Sequence, residues 1–222
     1  MIERFLALLD GSEFAERAMS AARNLARRLD ATVELYSIVP DRARLDERAS
    51  YLKRVKPRDV PTEIRVDVDD DPATATDRAL HHLPNTVPCI ANRGSRLREL
   101  FEPSVTTALL RRRSSPLLVA GRAFDETRIG RGVVVCVNDD QATSALIAHG
   151  VEWAEQLREG CTVVTVAELL PPPLVAGPVH RAFGPDTDDV KEFLERLVAP
   201  YREHGHHVDT HPIFDPVGPV SG

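Results

Sequence analysis

Residues 5–12 read FLALLDGS, an apolar run that stops abruptly at an aspartate and a glycine. From Phe14 to Leu29, apolar residues then recur at the spacing that forms one stripe of a helix. Residues 32–39 are rich in β-branched and aromatic side chains and are followed by Pro40, which is typical of a strand and its end. The chain therefore opens with the pattern of a strand, a tight turn, a helix and a second strand, the βαβ unit of a parallel sheet.

The same alternation continues as far as residue 120. Asp71 and Pro72 are typical of the N-cap and the first residue of a helix. Strands and helices that alternate at this length predict an α/β fold, an open parallel sheet with helices on both faces. The further elements predicted in this part are helices at 41–55 and 105–110 and strands at 62–68, 87–91 and 116–120.

The second part of the chain repeats the order of elements in the first. Residues 121–132 have the polar, glycine-containing composition of a connector, and residues 171–185 form a proline-rich insertion. The duplication predicts two domains, residues 1–122 and 130–222, of which the second is a truncated copy. Its predicted elements are strands at 133–137, 162–166 and 208–213 and helices at 145–157 and 188–201.

A truncated copy has a structural consequence for its first strand. If the counterparts of the fourth and fifth strands are missing, the strand at 133–137 has one unpaired edge. An apolar edge of this kind invites pairing with another chain. We therefore expect that the first domain, a segment of the connector or a second chain covers it.

The composition argues against nucleic acid and membranes as partners. The 222 residues carry 28 basic and 34 acidic side chains, a formal net charge of -6, which gives no basic surface field. No run approaches the roughly 18 apolar residues of a membrane span, and no apolar signal core follows Met1. We expect a cytoplasmic protein.

Two sets of potential metal or redox residues have simpler structural interpretations. Cys89, Cys136 and Cys161 lie far apart, each in or next to an apolar stretch, and are interpreted as small buried hydrophobic residues, with redox chemistry at one of them as the alternative. The four histidines within residues 204–211 indicate a polar, partly exposed strand edge, with a metal site as the alternative.

Two segments are candidates for ligand binding. In an open parallel sheet, ligands bind beyond the carboxyl ends of the strands. One candidate is the turn at Asp10, Gly11 and Ser12, directly before a helix. The other is the loop of residues 91–105, where backbone N–H groups at a loop-to-helix junction suit phosphate.

The sequence resembles the universal stress protein family at four places. Residues 8–13, LLDGSE, precede an alanine-rich helix, and residues 37–40, SIVP, match the end of the family's second strand. Residues 71–73, DPA, match the start of its third helix, and residues 90–119 cover its last loop, helix and strand. The resemblance implies a flavodoxin-like or Rossmann-like sheet of order 3-2-1-4-5 and frequent dimerisation. Members of the family divide into those that bind ATP and those that do not, so it also implies that this chain belongs to one of these two classes.

The glycine loop departs from the family's nucleotide-binding pattern of Gly, two residues, Gly, nine residues, Gly and Ser or Thr. Ala91 stands at the first glycine, Gly94 matches the second, and Pro103 stands at the third, with eight intervening residues. Alanine adds a methyl group where phosphate approaches the backbone, and proline removes an N–H donor. The loop is therefore weakened for ATP. The resemblance implies base and ribose contacts at Asp10 and Ile38, and phosphate contacts at Gly94, Ser104 and Val105.

We therefore expect a non-catalytic stress-response or regulatory module with weak adenine nucleotide (ATP) binding in the first domain and none in the second. The chain has neither a Ser or Cys nucleophile with an evident base nor a Gly-Lys-Ser or Gly-Lys-Thr motif, so we predict no catalytic residue and no metal. The alternative is a degenerate member that binds no nucleotide and acts through protein contacts. The expected assembly is a homodimer or an intramolecular pseudo-dimer.

Overall fold

A computed structural model describes residues 2–92, 105–112, 116–129, 131–138, 142–168 and 187–215. The chain divides into two compact units, Met1–Ile129 and Gly130–Gly222. None of the described helices is both long and apolar enough to cross a membrane.

The first unit is a five-stranded parallel sheet in the order β3-β2-β1-β4-β5. This order confirms the predicted flavodoxin-like fold. Its elements are β1 (Arg4–Leu8), α1 (Glu16–Leu29), β2 (Thr32–Val39), α2 (Leu45–Val55), β3 (Thr62–Val68), α3 (Pro72–His81), β4 (Thr86–Ala91), α4 (Val105–Arg112) and β5 (Leu118–Ala120).

The central strand explains why residues 5–9 are uniformly apolar. β1 pairs with β2 on one side and β4 on the other, and Phe5, Leu6 and Ala7 are fully buried. Right-handed crossovers place α1 and α3 on opposite faces, because the chain passes from β1 to β2 in one direction and from β3 to β4 in the other. A strand covered on both faces favours such a continuous apolar run.

Helix α3 covers the face that carries Leu6 and Tyr36. Ala79 and Leu80 of α3 pack against these two residues in one apolar cluster. The predicted N-cap is confirmed, since the Asp71 carboxylate accepts hydrogen bonds from the N–H groups of Ala73 and Thr74. The cap and the apolar contacts together fix α3 on the sheet.

The second unit is a three-stranded parallel sheet in the order β6-β7-β8. Its elements are β6 (Val133–Cys136), α5 (Thr143–Leu157), β7 (Cys161–Glu168), α6 (Thr187–Glu203) and β8 (Val208–Asp215). Its core includes Val135 and Val163 of the sheet together with Ile147 of α5 and Leu194 of α6.

Strand β6 differs from the sequence-based expectation in one residue. Cys136 is exposed, whereas Cys89 and Cys161 are buried as predicted. Successive side chains of a strand point to opposite faces, so Val135 and Val137 enter the core and Cys136 points away from it. In the described part of the chain only β7 pairs with β6, and the cover predicted for its other edge remains a prediction.

The element boundaries that the structure corrects include those of the helix predicted at 41–55 and the strand predicted at 116–120. The helix predicted at 41–55 begins as a short 3₁₀ turn, Arg42–Arg44, because the Asp41 carboxylate caps it through the Ala43 N–H, and α2 follows from Leu45. The strand predicted at 116–120 is confined to Leu118–Ala120, which pairs with the last three residues of β4.

Candidate functional site

The candidate site begins where β1 and β2 end side by side. The Leu9 N–H donates to the Tyr36 carbonyl oxygen at 2.9 Å, and the buried Ser37 hydroxyl donates to the Leu9 carbonyl oxygen at 2.6 Å. These two bonds tie the end of β1 to β2. They set the position of the turn that follows at Asp10.

The turn itself is built by short-range hydrogen bonds. The Asp10 carboxylate accepts from the Ser12 N–H at 2.9 Å, and the Ser12 hydroxyl and carbonyl oxygens both accept from the Ala15 N–H, at 3.2 and 3.1 Å. Gly11 has φ +89°, in the left-handed region that favours glycine. Asp10 and Gly11 are exposed, so the turn is accessible to a ligand.

Helix α2 supplies one wall of the turn. A Cβ atom added to Gly11 would lie 2.8 Å from Nη1 and 3.1 Å from Cζ of Arg48, so this guanidinium rests directly on the glycine. Arg48 also lies over the Tyr51 ring, with Cζ 5.9 Å from its centre. The Tyr51 hydroxyl donates to the Glu16 carboxylate at 3.2 Å. Arg48 and Tyr51 therefore connect α2 to the start of α1.

The pKa of Tyr51 reflects the charges around this turn. Burial and, after it, the nearby carboxylates of Glu16 and Asp10 raise the pKa of Tyr51, the Arg48 guanidinium opposes them, and the net result is a pKa of about 12. A phenol with this pKa is neutral at pH 7 and acts here as a hydrogen-bond donor. The turn thus combines two carboxylates, one guanidinium and exposed backbone.

Ile38 lies near the end of β2, but its side chain is partly buried against the cluster of Leu6, Tyr36, Ala79 and Leu80. Most of this side chain serves the contact between the sheet and α3. A ligand at the turn would meet Ile38 mainly through its backbone or the exposed part of its side chain.

The predicted phosphate end of the site is described only in part. β4 ends at Ala91, and the Asn92 N–H donates to the Ala120 carbonyl oxygen at 3.0 Å. Val105 is the first residue of α4 and is partly buried. Gly94 and Ser104 lie outside the described residues. Because parallel strands end at the same edge, the ends of β1, β2 and β4 all face this side of the sheet.

Sequence patterns did not single out Arg48. Its helix is polar on several sides, and an arginine there has the ordinary interpretation of a solvated side chain. Only the packing of α2 beside the turn reveals its contact with Gly11.

Within the described ranges no group of three or more His, Cys, Asp or Glu residues is placed to hold a metal ion. Cys89 is fully buried, and burial raises the pKa of its thiol, which makes it a poor nucleophile.

The second unit contains a different version of this corner. The Thr165 hydroxyl donates to the Val137 carbonyl oxygen at 2.9 Å, and the Val137 N–H donates to the Val164 carbonyl oxygen at 2.9 Å. Asn138 then takes the place that Asp10 has in the first unit, and its carbonyl oxygen accepts from the Thr143 hydroxyl. The carboxylate is absent at this position of the second unit.

Comparison with known proteins identifies the fold. No protein-family model matches the sequence, and no curated protein matches it either. The structure is similar to a universal stress protein from Archaeoglobus fulgidus DSM 4304, with a TM-score of 0.65 and 11% sequence identity, over 96% of this chain and 77% of that one. The chain therefore has the fold of the universal stress proteins, as the sequence resemblance implies.

Two further structures of this kind have lower scores. A putative universal stress protein from Pseudomonas aeruginosa UCBPP-PA14 has a TM-score of 0.48 and 14% identity, over 95% of this chain and 75% of its own. A universal stress protein in complex with cAMP has a TM-score of 0.45 and 19% identity, over 54% of this chain and 97% of its own.

Proposed function

We propose that the chain is a non-catalytic regulatory module of the universal stress type, whose first unit binds an adenine nucleotide weakly. The observation that carries the proposal is the exposed turn at Asp10, held at the carboxyl edge of a 3-2-1-4-5 sheet by the bonds between Leu9 and β2. Ligands of open parallel sheets bind at this edge. The fold likeness to a universal stress protein supports the same proposal.

In this proposal Asp10 and Ile38 contact the base and ribose, and Gly94, Ser104 and Val105 contact the phosphates. Ala91 and Pro103 weaken the phosphate loop, because they stand where the family pattern has glycine. The second unit is a partial second copy that binds no nucleotide, since Asn138 replaces the carboxylate. We further propose a cytoplasmic location.

Calorimetric titration of the full chain with ATP and AMP, with and without magnesium, tests the proposal. We expect binding in the micromolar range that is lost in Asp10→Ala, which removes both the carboxylate and the turn's hydrogen bond. Asp10→Asn keeps an acceptor for the Ser12 N–H and separates the effect of the charge from that of the turn.

Asp125→Ala is the matched control. The Asp125 carboxylate makes the same kind of turn, accepting from the Thr127 N–H at 2.9 Å, in the segment after β5. Its loss should leave nucleotide affinity unchanged. Equal losses in Asp10→Ala and Asp125→Ala would refute the placement of the site.

A second function, protein contact without nucleotide, is favoured by the apolar surface of the second unit. Val134, Val166 and Ile213 are 64%, 57% and 42% exposed. No heat at millimolar nucleotide would favour this function. Sedimentation of the full chain tests the proposed dimer, for which the short edge strand β5 is the candidate contact in the first unit.

A further inference from the structure

The Arg48 guanidinium has an unused hydrogen-bonding group beside the candidate ligand turn. Its Nη1 atom is buried, and in the described part of the chain it has no hydrogen-bond partner. A guanidinium normally makes several hydrogen bonds through its rigid fork of N–H donors. A buried charged donor without an acceptor is destabilising, so Arg48 would gain from any anion that reaches it.

The surroundings of Arg48 place such an anion at the turn. The guanidinium rests on Gly11, an exposed residue of the turn, and also lies over the Tyr51 ring. The absence of a Cβ at Gly11 lets the guanidinium approach the backbone, because a Cβ there would lie 2.8 Å from Nη1. An anionic ligand at this exposed turn would therefore lie next to the guanidinium.

Electrostatics distinguish Arg48 from the other groups at this corner. Asp10 and Glu16 are acidic and repel an anionic ligand, whereas Arg48 is basic and its charge opposes theirs at Tyr51. A nucleotide at this turn needs a cation to offset that repulsion. The glycine loop, with Ala91 and Pro103, is poorly suited to supply the missing stabilisation through backbone N–H groups.

We propose that Arg48 is a ligand-binding residue that donates hydrogen bonds to the phosphate next to the ribose, where the nucleotide lies at the Asp10 turn, while the phosphate contacts proposed above hold the phosphates beyond it. This proposal deepens the nucleotide-binding function above and rests on it. It makes the phosphate, rather than the adenosine moiety alone, the part of the ligand that Arg48 recognises. Charge-assisted hydrogen bonds from arginine to phosphate are among the stronger polar contacts in proteins.

Calorimetric titration of the full chain with ATP, AMP, adenosine and pyrophosphate tests it. We expect Arg48→Gln to weaken ATP and AMP binding by about tenfold or more, with adenosine affinity unchanged. Arg48→Lys should recover part of the loss, since it restores the charge but not the planar fork.

Arg54→Gln is the matched control. Arg54 lies on the same helix and over the same Tyr51 ring, with Cζ 5.6 Å from its centre, and it is exposed. The Arg54→Gln substitution removes the same charge from a side chain that has no described contact with Gly11. Its ATP affinity should equal that of the wild type, and thermal unfolding of both variants checks that each is folded.

The outcomes separate this inference from the function on which it rests. If wild type and Arg48→Gln bind ATP equally, or if adenosine affinity falls as much as ATP affinity, the role of Arg48 is refuted and the nucleotide site stands. If pyrophosphate binding depends on Arg48 but adenosine does not bind, an anion site stands and the adenine-nucleotide function fails. If the wild type binds none of the four probes, both proposals fail.

Discussion

In both units the end of the first strand, β1 or β6, is joined to the next strand, β2 or β7, by equivalent hydrogen bonds. The Ser37 hydroxyl donates to the Leu9 carbonyl oxygen in the first unit, and the Thr165 hydroxyl donates to the Val137 carbonyl oxygen in the second. In each case the two residues are 28 positions apart in the sequence. The helix between the two strands ends in each unit at a residue in the left-handed region, Asp30 or Arg158. These shared features align the units residue by residue.

The aligned units differ in what covers one face of the sheet. Leu6 is fully buried under α3, whereas Val134, its counterpart, is 64% exposed. Ile38 is partly buried, whereas its counterpart Val166 is 57% exposed. The crossovers through α5 and α6 run in the same direction and so lie on the same face. Among its described residues, the sheet of the second unit therefore forms without a counterpart of α3 and leaves apolar side chains exposed.

The largest expected effect comes from a matched pair of alanine substitutions that test this difference. Leu6→Ala should lower the free energy of unfolding by about 2–5 kcal/mol, because it leaves a cavity in a fully packed core. Val134→Ala should change it by no more than about 0.5 kcal/mol, because the side chain is mostly in water. Urea unfolding of the full chain measures both. A loss at Val134 as large as that at Leu6 would mean that another surface covers it in solution.

Helix α5 offers a second test, at Gly150. Counted back from the left-handed caps, Gly150 matches Ala22 of α1, and Val135 of β6 matches Ala7 of β1. The second unit thus pairs a smaller helix residue with a larger strand residue. A Cβ at Gly150 would lie only 2.1 Å from a Val135 methyl carbon, and this stiff, buried side chain has little room to move.

We expect Gly150→Ala to destabilise the second unit by about 1–3 kcal/mol through overpacking. Hydrogen exchange of peptides from α5 and β7 locates the loss, and peptides from the first unit serve as the internal control. The double variant Gly150→Ala, Val135→Ala recreates the pair found in the first unit and should recover part of the stability. Unchanged exchange in Gly150→Ala would contradict the packing described here.

Much of the fold could be predicted from local patterns. The all-apolar residues 5–9 indicate a central strand, and the Asp71 cap with Pro72 marks the start of α3, because both signals lie in short stretches of sequence. Cys136 was predicted to be buried and is exposed. Its burial depends on which face of a sheet is covered, and the composition of the strand does not reveal that.

The candidate site could be predicted only in part. Asp10 lies at the predicted turn, since a strand end followed by a helix is a local pattern. The contact of Arg48 with Gly11 joins residues far apart in the chain, and it depends on how α2 packs beside the turn. The spacing of Arg48 and Tyr51 fits many solvated helices and carries no signal of its own.

A third test uses the pH dependence of a network found in the first unit. The Asp67 carboxylate accepts hydrogen bonds from the Tyr36 hydroxyl at 2.8 Å and from Arg65 Nη2 at 2.7 Å. Burial alone would raise the pKa of Asp67, but the hydrogen bonds from Arg65 and Tyr36 outweigh it and lower the pKa below its ordinary value of 3.8. In the second unit Ile213 pairs with Val166 as Asp67 pairs with Ile38, so the carboxylate has no counterpart.

A lowered pKa means that the ionised carboxylate stabilises the folded state above pH 3.8 and that this contribution is lost as the pH falls through the folded-state value. We expect Asp67→Asn to cost about 1–2 kcal/mol at pH 7, and the difference from the wild type to shrink below pH 4. Urea unfolding at several pH values measures it. Asp70→Asn, at a nearby exposed carboxylate, is the control and should match the wild type throughout. A difference that stays constant down to pH 3 would exclude the ionic contribution.

The smallest expected effect concerns the hydrogen bond that the two units share at the end of the first strand. Ser37→Ala and Thr165→Val each remove a buried hydroxyl that donates to the carbonyl oxygen at the end of the first strand. Each should cost about 0.5–1.5 kcal/mol, the usual net value of such a bond, and the two losses should agree closely. Hydrogen exchange at the ends of β1 and β6 measures them separately. If only Ser37→Ala loosens its strand end, the tie in the second unit is incidental. If both substitutions loosen their strand ends, the hydrogen bond stabilises the sheet in each unit, whether or not a helix covers the other face.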